Sequence, residues 1–299
     1  MGSSPRGDGS KEGGRPPNVL ARSFPLPVGT VRGVHPIERL RYVARAQGAD
    51  AESLVRETAG ALRGLGLDMA GLVVACRRIV ERHPTSGPLW WLCARMLTSS
   101  DPNAAARNAV DQIEHDATID RLIAELPDGA TVATIGWPDL IGYALARRGD
   151  IRVLAVDAGH QASSFVQRLE RNEIESELVP TESAAIATAA ADLVLVEAEA
   201  LDGAHLLAAT GTALLAAVAG LSGTPVWCVA GRGRRLPSPM LGAIVERVAH
   251  QAVDPWSREV EVVPMSLVAH VVGPDGRVPT AAVRAECEMA PELLRTGIM

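Results

Sequence analysis

The chain has 299 residues, of which 47% are apolar, 21% charged and 3% aromatic, with a formal charge of −6. That apolar share supports a sizeable core and excludes wholesale disorder, and a pI near 5.7 argues against a dedicated nucleic-acid binder. No apolar run has the length and flanks of a membrane span; the best candidate, Leu206–Leu221, is Ala- and Gly-rich and reads as a buried helix.

Residues 1–34 hold seven Gly, five Pro and four Ser. Such a segment cannot bury apolar surface, so a flexible tail is expected. It carries five basic and two acidic residues and lacks the apolar stretch of a signal peptide. Residues 35–126 read as a helical domain. Ile37, Leu40, Val43 and Ala44 set the first stripe, and further helices are expected at Asp50–Leu65, from Asp68 to before Pro84, and at Leu89–Leu97. Asp101-Pro102 is a strong start for one long helix ending at Pro127-Asp128-Gly129.

From residue 127 the pattern changes. Short Val/Ile/Leu runs at 131–135, 152–157, 175–180, 192–197 and 225–230 alternate with helical stretches. Apolar strands separated by helices predict a parallel sheet covered on both faces, so 127–299 is read as a Rossmann-like α/β domain. Residues 259–276 read as sheet edge and turn, with the apolar segment Leu267–Val272 expected in a two-fold interface.

In an open α/β sheet, ligands sit outside the carboxyl ends of the strands. That rule selects Gly136, Trp137, Asp157, His160, Glu197, Glu199 and Arg232–Arg235. Neither GxGxxG after a strand nor GxxxxGK with a following Ser or Thr is present, which argues against a dinucleotide or nucleotide site. No cofactor is expected. Thr210-Gly211-Thr212 opens an Ala-rich helix, and its free N–H groups could hold an anion or simply cap the helix. Arg232, Arg234 and Arg235 could clamp a phosphate, pair with acidic groups of a partner, or stay solvated. Glu197 and Glu199 end a strand. If the chain stays extended, the two are expected on opposite faces; if it turns, either could enter the cleft as a general acid or base, and otherwise one caps a neighbouring helix while the other is solvated. No His pair has zinc spacing and no Cys stands near a His, so no metal is expected. Cys76, Cys93, Cys228 and Cys287 form no CxxC pair and read as reduced, buried thiols of a cytoplasmic protein.

The order of several short motifs resembles one superfamily. His83-Pro84-Thr85 before Leu89–Met96 is similar to Arg-Pro-Thr-Ala-Val-Asn-Leu and its next helix. Ile113-Glu114-His115-Asp116, with Pro127-Asp128-Gly129, is similar to a Glu-Glu-Asp helix leading to the first strand. Ser183-Ala184-Ala185 matches Asp-Ser-Ala-Ala, and Asp192–Glu199 matches Asp-Leu-Val-Ile-Val-Gly-Ala-Asp. Asp202-Gly203, Thr210-Gly211-Thr212 and Val262–Leu267 follow in the same order as their counterparts. These motifs resemble the family that joins the alpha, beta and delta subunits of translation initiation factor 2B with the methylthioribose-1-phosphate and ribose-1,5-bisphosphate isomerases. The resemblance covers about residues 83–276. It implies a helical domain followed by a Rossmann-like domain, a homodimer, and a cleft for a phosphorylated small molecule or a partner protein.

The departures bear on activity. Gly136 stands where the isomerases carry a catalytic Cys, Glu199 where they carry Asp, Ala209 at a Lys and Gly159 at an Arg. Arg32-Gly33-Val34 is the nearest match to their N-terminal Arg-Gly-Ala. The expected function is therefore a diverged, non-catalytic family member whose cleft takes such a ligand or partner through Gly136, Trp137, Thr210, Gly211, Thr212, Arg234 and Arg235. The alternative is an active isomerase in which Glu199 works with Asp157 or His160.

Overall fold

A computed structural model describes residues 50–66, 68–251 and 254–295. The tail and the helix expected around Ile37–Ala44 lie outside the described residues. The helical region contains α1 (Ala51–Gly64), α2 (Met69–Arg82), α3 (Gly87–Thr98) and α4 (Pro102–Glu114). Asp50, Asp68 and Asp101 each accept a backbone N–H of the first turn they precede, fixing three of these starts.

The long helix expected from Asp101 is two helices. The Asp116 carboxylate accepts the N–H and hydroxyl of Thr118 at 2.9 and 2.6 Å, restarting the chain as α5 (Thr118–Glu125). α5 buries Leu122 with the α/β region, beside α6 (Asp139–Arg148).

The sheet runs in the order β3-β2-β1-β4-β6-β8-β9. Its strands are β1 (Thr131–Ile135), β2 (Arg152–Val156), β3 (Ser176–Val179), β4 (Leu193–Leu201), β6 (Val226–Val229), β8 (His270–Gly273) and β9 (Gly276–Pro279). Pairing is parallel through β8, and only β9 turns back. The centre is buried on both faces, as continuous apolar strands require. α6 and α7 (Ala162–Arg171) cover one face; α8 (Ala184–Ala190) and α9 (Thr212–Ser222) cover the other.

β4 continues four residues beyond the expected strand. Past an irregularity between Ala198 and Ala200 it pairs antiparallel with β5 (His205–Ala209), which pairs with β7 (Val260–Pro264). This arm was not anticipated. The apolar run from Leu206 is not one helix: it is a strand, then a turn at Gly211 with φ +97°, then α9. The arm contributes Ala200 and Leu207 to the core shared by α1–α4 and α10 (Ser238–Gln251). Leu267–Val272 is buried in part, with Leu267 and His270 half-buried and Ala269 exposed. Val268, Val271 and Val272 are buried, the last two inside β8 between β6 and β9.

Residues 283–295 cross the helical region as a strap. Arg77 and Arg247 donate to the Glu292 and Leu293 carbonyls at 2.7 and 2.8 Å, and Trp91 Nε1 donates to the Glu286 carbonyl at 3.4 Å.

Candidate functional site at the strand tips

The strand order reverses between β1 and β4, and the crevice at a reversal is where open α/β sheets take ligands. Gly136, at the tip of β1, donates its N–H to the Val156 carbonyl at 3.1 Å and has φ +66°. Glycine adopts that left-handed conformation without steric cost. A Cβ built there would stand 3.8 Å from the Ala209 Cβ. Gly136 and Ala209 thus face one another at the tip. Gly211 closes the same floor: a Cβ on it would meet Ile135 Cδ1 at 2.8 Å and Ala158 Cβ at 3.4 Å.

The helix start at Gly211 already holds an anion. Glu261 Oε1, from β7, accepts the N–H groups of Gly211 and Ala213, both at 2.8 Å. Thr210 gives its hydroxyl to the Arg258 carbonyl and Thr212 gives its hydroxyl to the Ala209 carbonyl, each at 2.6 Å.

Glu197 and Glu199 come together instead of dividing between cleft and solvent. The chain does not turn at Glu197; β4 runs on, and residues two apart on a strand share a face. Glu197 Oε2 accepts the Leu140 and Ile141 N–H groups at 2.8 and 3.3 Å, capping α6. Its other oxygen pairs with Arg234 Nη1 at 3.1 Å, both side chains being about nine-tenths buried. Arg234 also donates to the Ala198 carbonyl. Burial pushes Glu197 up to about 7, an effect that Arg234 opposes and Asp139 adds to. Burial likewise raises Glu199, again against Arg234. Burial pushes the nearby Cys228 thiol up to about 12, leaving it an inert core group.

The other two arginines serve the strap. Glu286 accepts Arg232 Nη1 at 3.1 Å, Arg235 Nη2 at 2.5 Å and the Gly233 N–H at 2.6 Å, and Asp275 takes a second bond from Arg235 at 3.0 Å. Asp116 accepts the Arg232 N–H at 2.6 Å, tying the loop to the break between α4 and α5.

The remaining expected residues make local contacts. Trp137 bonds Asp139 through Nε1 at 3.0 Å and packs edge-on against Phe165. Asp157 caps α7 through the Ala162 N–H at 3.2 Å. His160 stands 3.7 Å from Asp157, but its side chain is 99% exposed. Among the described residues, no three or more His, Cys, Asp or Glu side chains form a metal-binding group. The residues that sequence reasoning missed are Glu261 and Glu286, each supplied by a segment far along the chain from the group it neutralises.

No protein-family model and no curated protein matches the sequence. Solved structures do match. They include translation initiation factor eIF-2B from Pyrococcus horikoshii, at TM-score 0.65 and 16% identity over 82% of this chain and 96% of that one. They also include eIF2B beta from Chaetomium thermophilum, at TM-score 0.62 and 14% identity over 82% and 86%. The tetrameric eIF2B-beta2-delta2 complex from the same organism matches at TM-score 0.62 and 14% identity over 82% and 90%. The chain therefore has the fold of these eIF2B subunits, as the order of motifs implied.

Proposed function

We propose that the chain is a non-catalytic member of the initiation factor 2B and sugar-phosphate isomerase superfamily, acting as an assembly subunit that binds protein, itself included, in a reducing cytoplasm. One observation carries this reading. The anion-binding groups at its strand tips already hold carboxylates of the chain itself: Glu261 on the α9 start, Glu197 on Arg234, and Glu286 on Arg232 and Arg235. A phosphate entering there must displace a carboxylate from a largely buried position, losing bonds of the kind it would gain. The eIF2B-beta2-delta2 tetramer supports an assembly role by fold analogy. Four unpaired cysteines support the reducing compartment.

The isomerase alternative rests on Glu199, whose raised pKa suits a general base. The proposed partners do not join it, since Asp157 is tied to α7 and the His160 side chain is exposed to solvent.

Thermal unfolding of the full chain with inorganic phosphate, ribose-1,5-bisphosphate or methylthioribose-1-phosphate tests the closed cleft. The expected result is no change in Tm up to millimolar ligand. A ligand present at a hundred times its Kd stabilises the native state by about 2.7 kcal/mol, and a Tm rise of several degrees would show an open anion site.

A further inference from the structure

α3, α4 and the strap frame a cavity of about 450 Å³, within the size range of small-molecule sites. None of Gly136, Glu197, Glu199 or Ala209 lines it. Its walls carry Arg95 from α3, Asn108 and Gln112 from α4, and Glu286, Cys287 and Glu288 from the strap. Arg95 is half-buried, stands 4.9 Å over the Trp91 ring and gives an Nη1 hydrogen to Gln112 Oε1 at 2.7 Å. Burial lowers its pKa, so holding the charge there has a cost. Arg232, Arg234 and Arg235 each pair with a carboxylate of the chain. Among the described residues, Arg95 has no carboxylate within ion-pair distance and keeps donors to spare. On the strap wall, the Glu286 charge is taken by Arg232 and Arg235. Glu288 is exposed and, among the described residues, has no cation within ion-pair distance. Burial pushes the Cys287 thiol up to about 12, so it adds no charge.

We propose that this cavity binds a free α-amino acid, with its carboxylate on Arg95 and its ammonium toward Glu288. The proposal goes beyond the assembly-subunit reading and does not depend on it. Charge balance identifies the ligand class. The walls offer one unpaired cation on α3 and one unpaired anion on the strap, the complement of a zwitterion. The planar guanidinium suits a carboxylate, which it can hold through two parallel bonds. A phosphate dianion would meet Glu286 and Glu288 in the same space, and a simple amine would leave Arg95 without its anion. The exposed amides of Asn108 and Gln112 make the α4 wall polar, which favours a short polar side chain over an aliphatic one.

Isothermal titration of the chain with L-asparagine, L-glutamine and L-leucine is the test, with L-asparagine amide and L-glutamine amide, which lack the carboxylate, as controls. The expected result is saturable single-site binding of L-asparagine or L-glutamine, weaker binding of L-leucine, and none of the amides. Arg95→Gln removes a charge-assisted bond and should weaken binding at least about tenfold, while Arg95→Lys keeps the charge and should recover part of it. Circular dichroism reports whether the Arg95 variants fold. Glu288→Lys, on the exposed surface of the strap, sets an ammonium against the ligand's own and should also weaken binding, whatever becomes of the Arg95 variants. No saturable binding of any of the three amino acids up to about ten millimolar overturns the proposal. So does equal affinity for an amino acid and its amide, or an affinity that Glu288→Lys and a folded Arg95→Gln leave unchanged. Because phosphate and the sugar phosphates probe the strand tips, a failure here leaves the assembly reading standing.

Discussion

Replacing Glu286 by alanine should lower the unfolding free energy by about 3–5 kcal/mol, the cost of removing one partner of a buried ion pair. The side chain is 6% exposed and satisfies three donors: Arg232, Arg235 and the Gly233 N–H. Without it, among the described residues, Arg232 has no acid within ion-pair distance and the Gly233 N–H has no acceptor. Arg235 keeps only Asp275, which is 67% exposed and worth little. The variant keeps the backbone bond from the residue 286 N–H to the Arg235 carbonyl, 2.9 Å in the wild type, so the loss is that of the carboxylate. Glu286→Gln keeps an acceptor for Gly233 but not the charge, and should cost about 1–3 kcal/mol. Urea unfolding at fixed pH reads both. An alanine cost under 1 kcal/mol would mean that apolar packing, not the carboxylate, holds the strap.

Arg234→Met should cost a similar amount, about 3–5 kcal/mol at pH 8, and less in acid. Arg234 is the cation beside Glu197 and Glu199. In the wild type, Glu197 titrates near 7, above its ordinary 4.5. A carboxyl raised on folding gives its stability contribution in full below the unfolded pKa, and that contribution is lost as pH climbs through the folded one. The window is therefore pH 4.5 to 7, and this group alone removes about 3 kcal/mol across it. Without the guanidinium both carboxyls rise further and the decline extends above pH 7. The variant should thus approach wild-type stability at pH 5 and fall away by pH 8. The gap should grow by at least about 1.4 kcal/mol for each unit of added shift. A gap constant from pH 5 to 8 would mean that Arg234 supports the fold by packing alone.

The parallel sheet was readable because runs such as Thr131–Ile135 and Arg152–Val156 are short, apolar and flanked by turns. β5 was not. His205–Ala209 and Thr212–Ser222 share a Leu/Ala composition, and only the left-handed turn at Gly211 and the pairing with β4 and β7 divide them. The break between α4 and α5 was equally hidden, because the apolar stripe runs on past Asp116 while that side chain restarts the helix. At the strand tips the residues themselves were legible, since carboxyl ends of strands mark the crevice. What each residue binds was not. Glu261 lies 50 positions beyond Gly211, and Glu286 lies 53 beyond Gly233. A basic run or an open helix start reads the same whether its anion comes from a ligand or from a distant strand, and only the fold decides between them.

The account turns on whether the strand-tip cleft performs chemistry, and a turnover assay meets that question directly. Purified chain at micromolar concentration, offered ribose-1,5-bisphosphate or methylthioribose-1-phosphate, should give no ketose product, because Gly136 and Ala209 supply neither thiol nor ammonium and the carboxyl beside Glu199, that of Glu197, is held by Arg234 and the start of α6. Turnover on the order of 10 per second, the ordinary range for an enzyme, that disappears in Glu199→Gln would contradict the account.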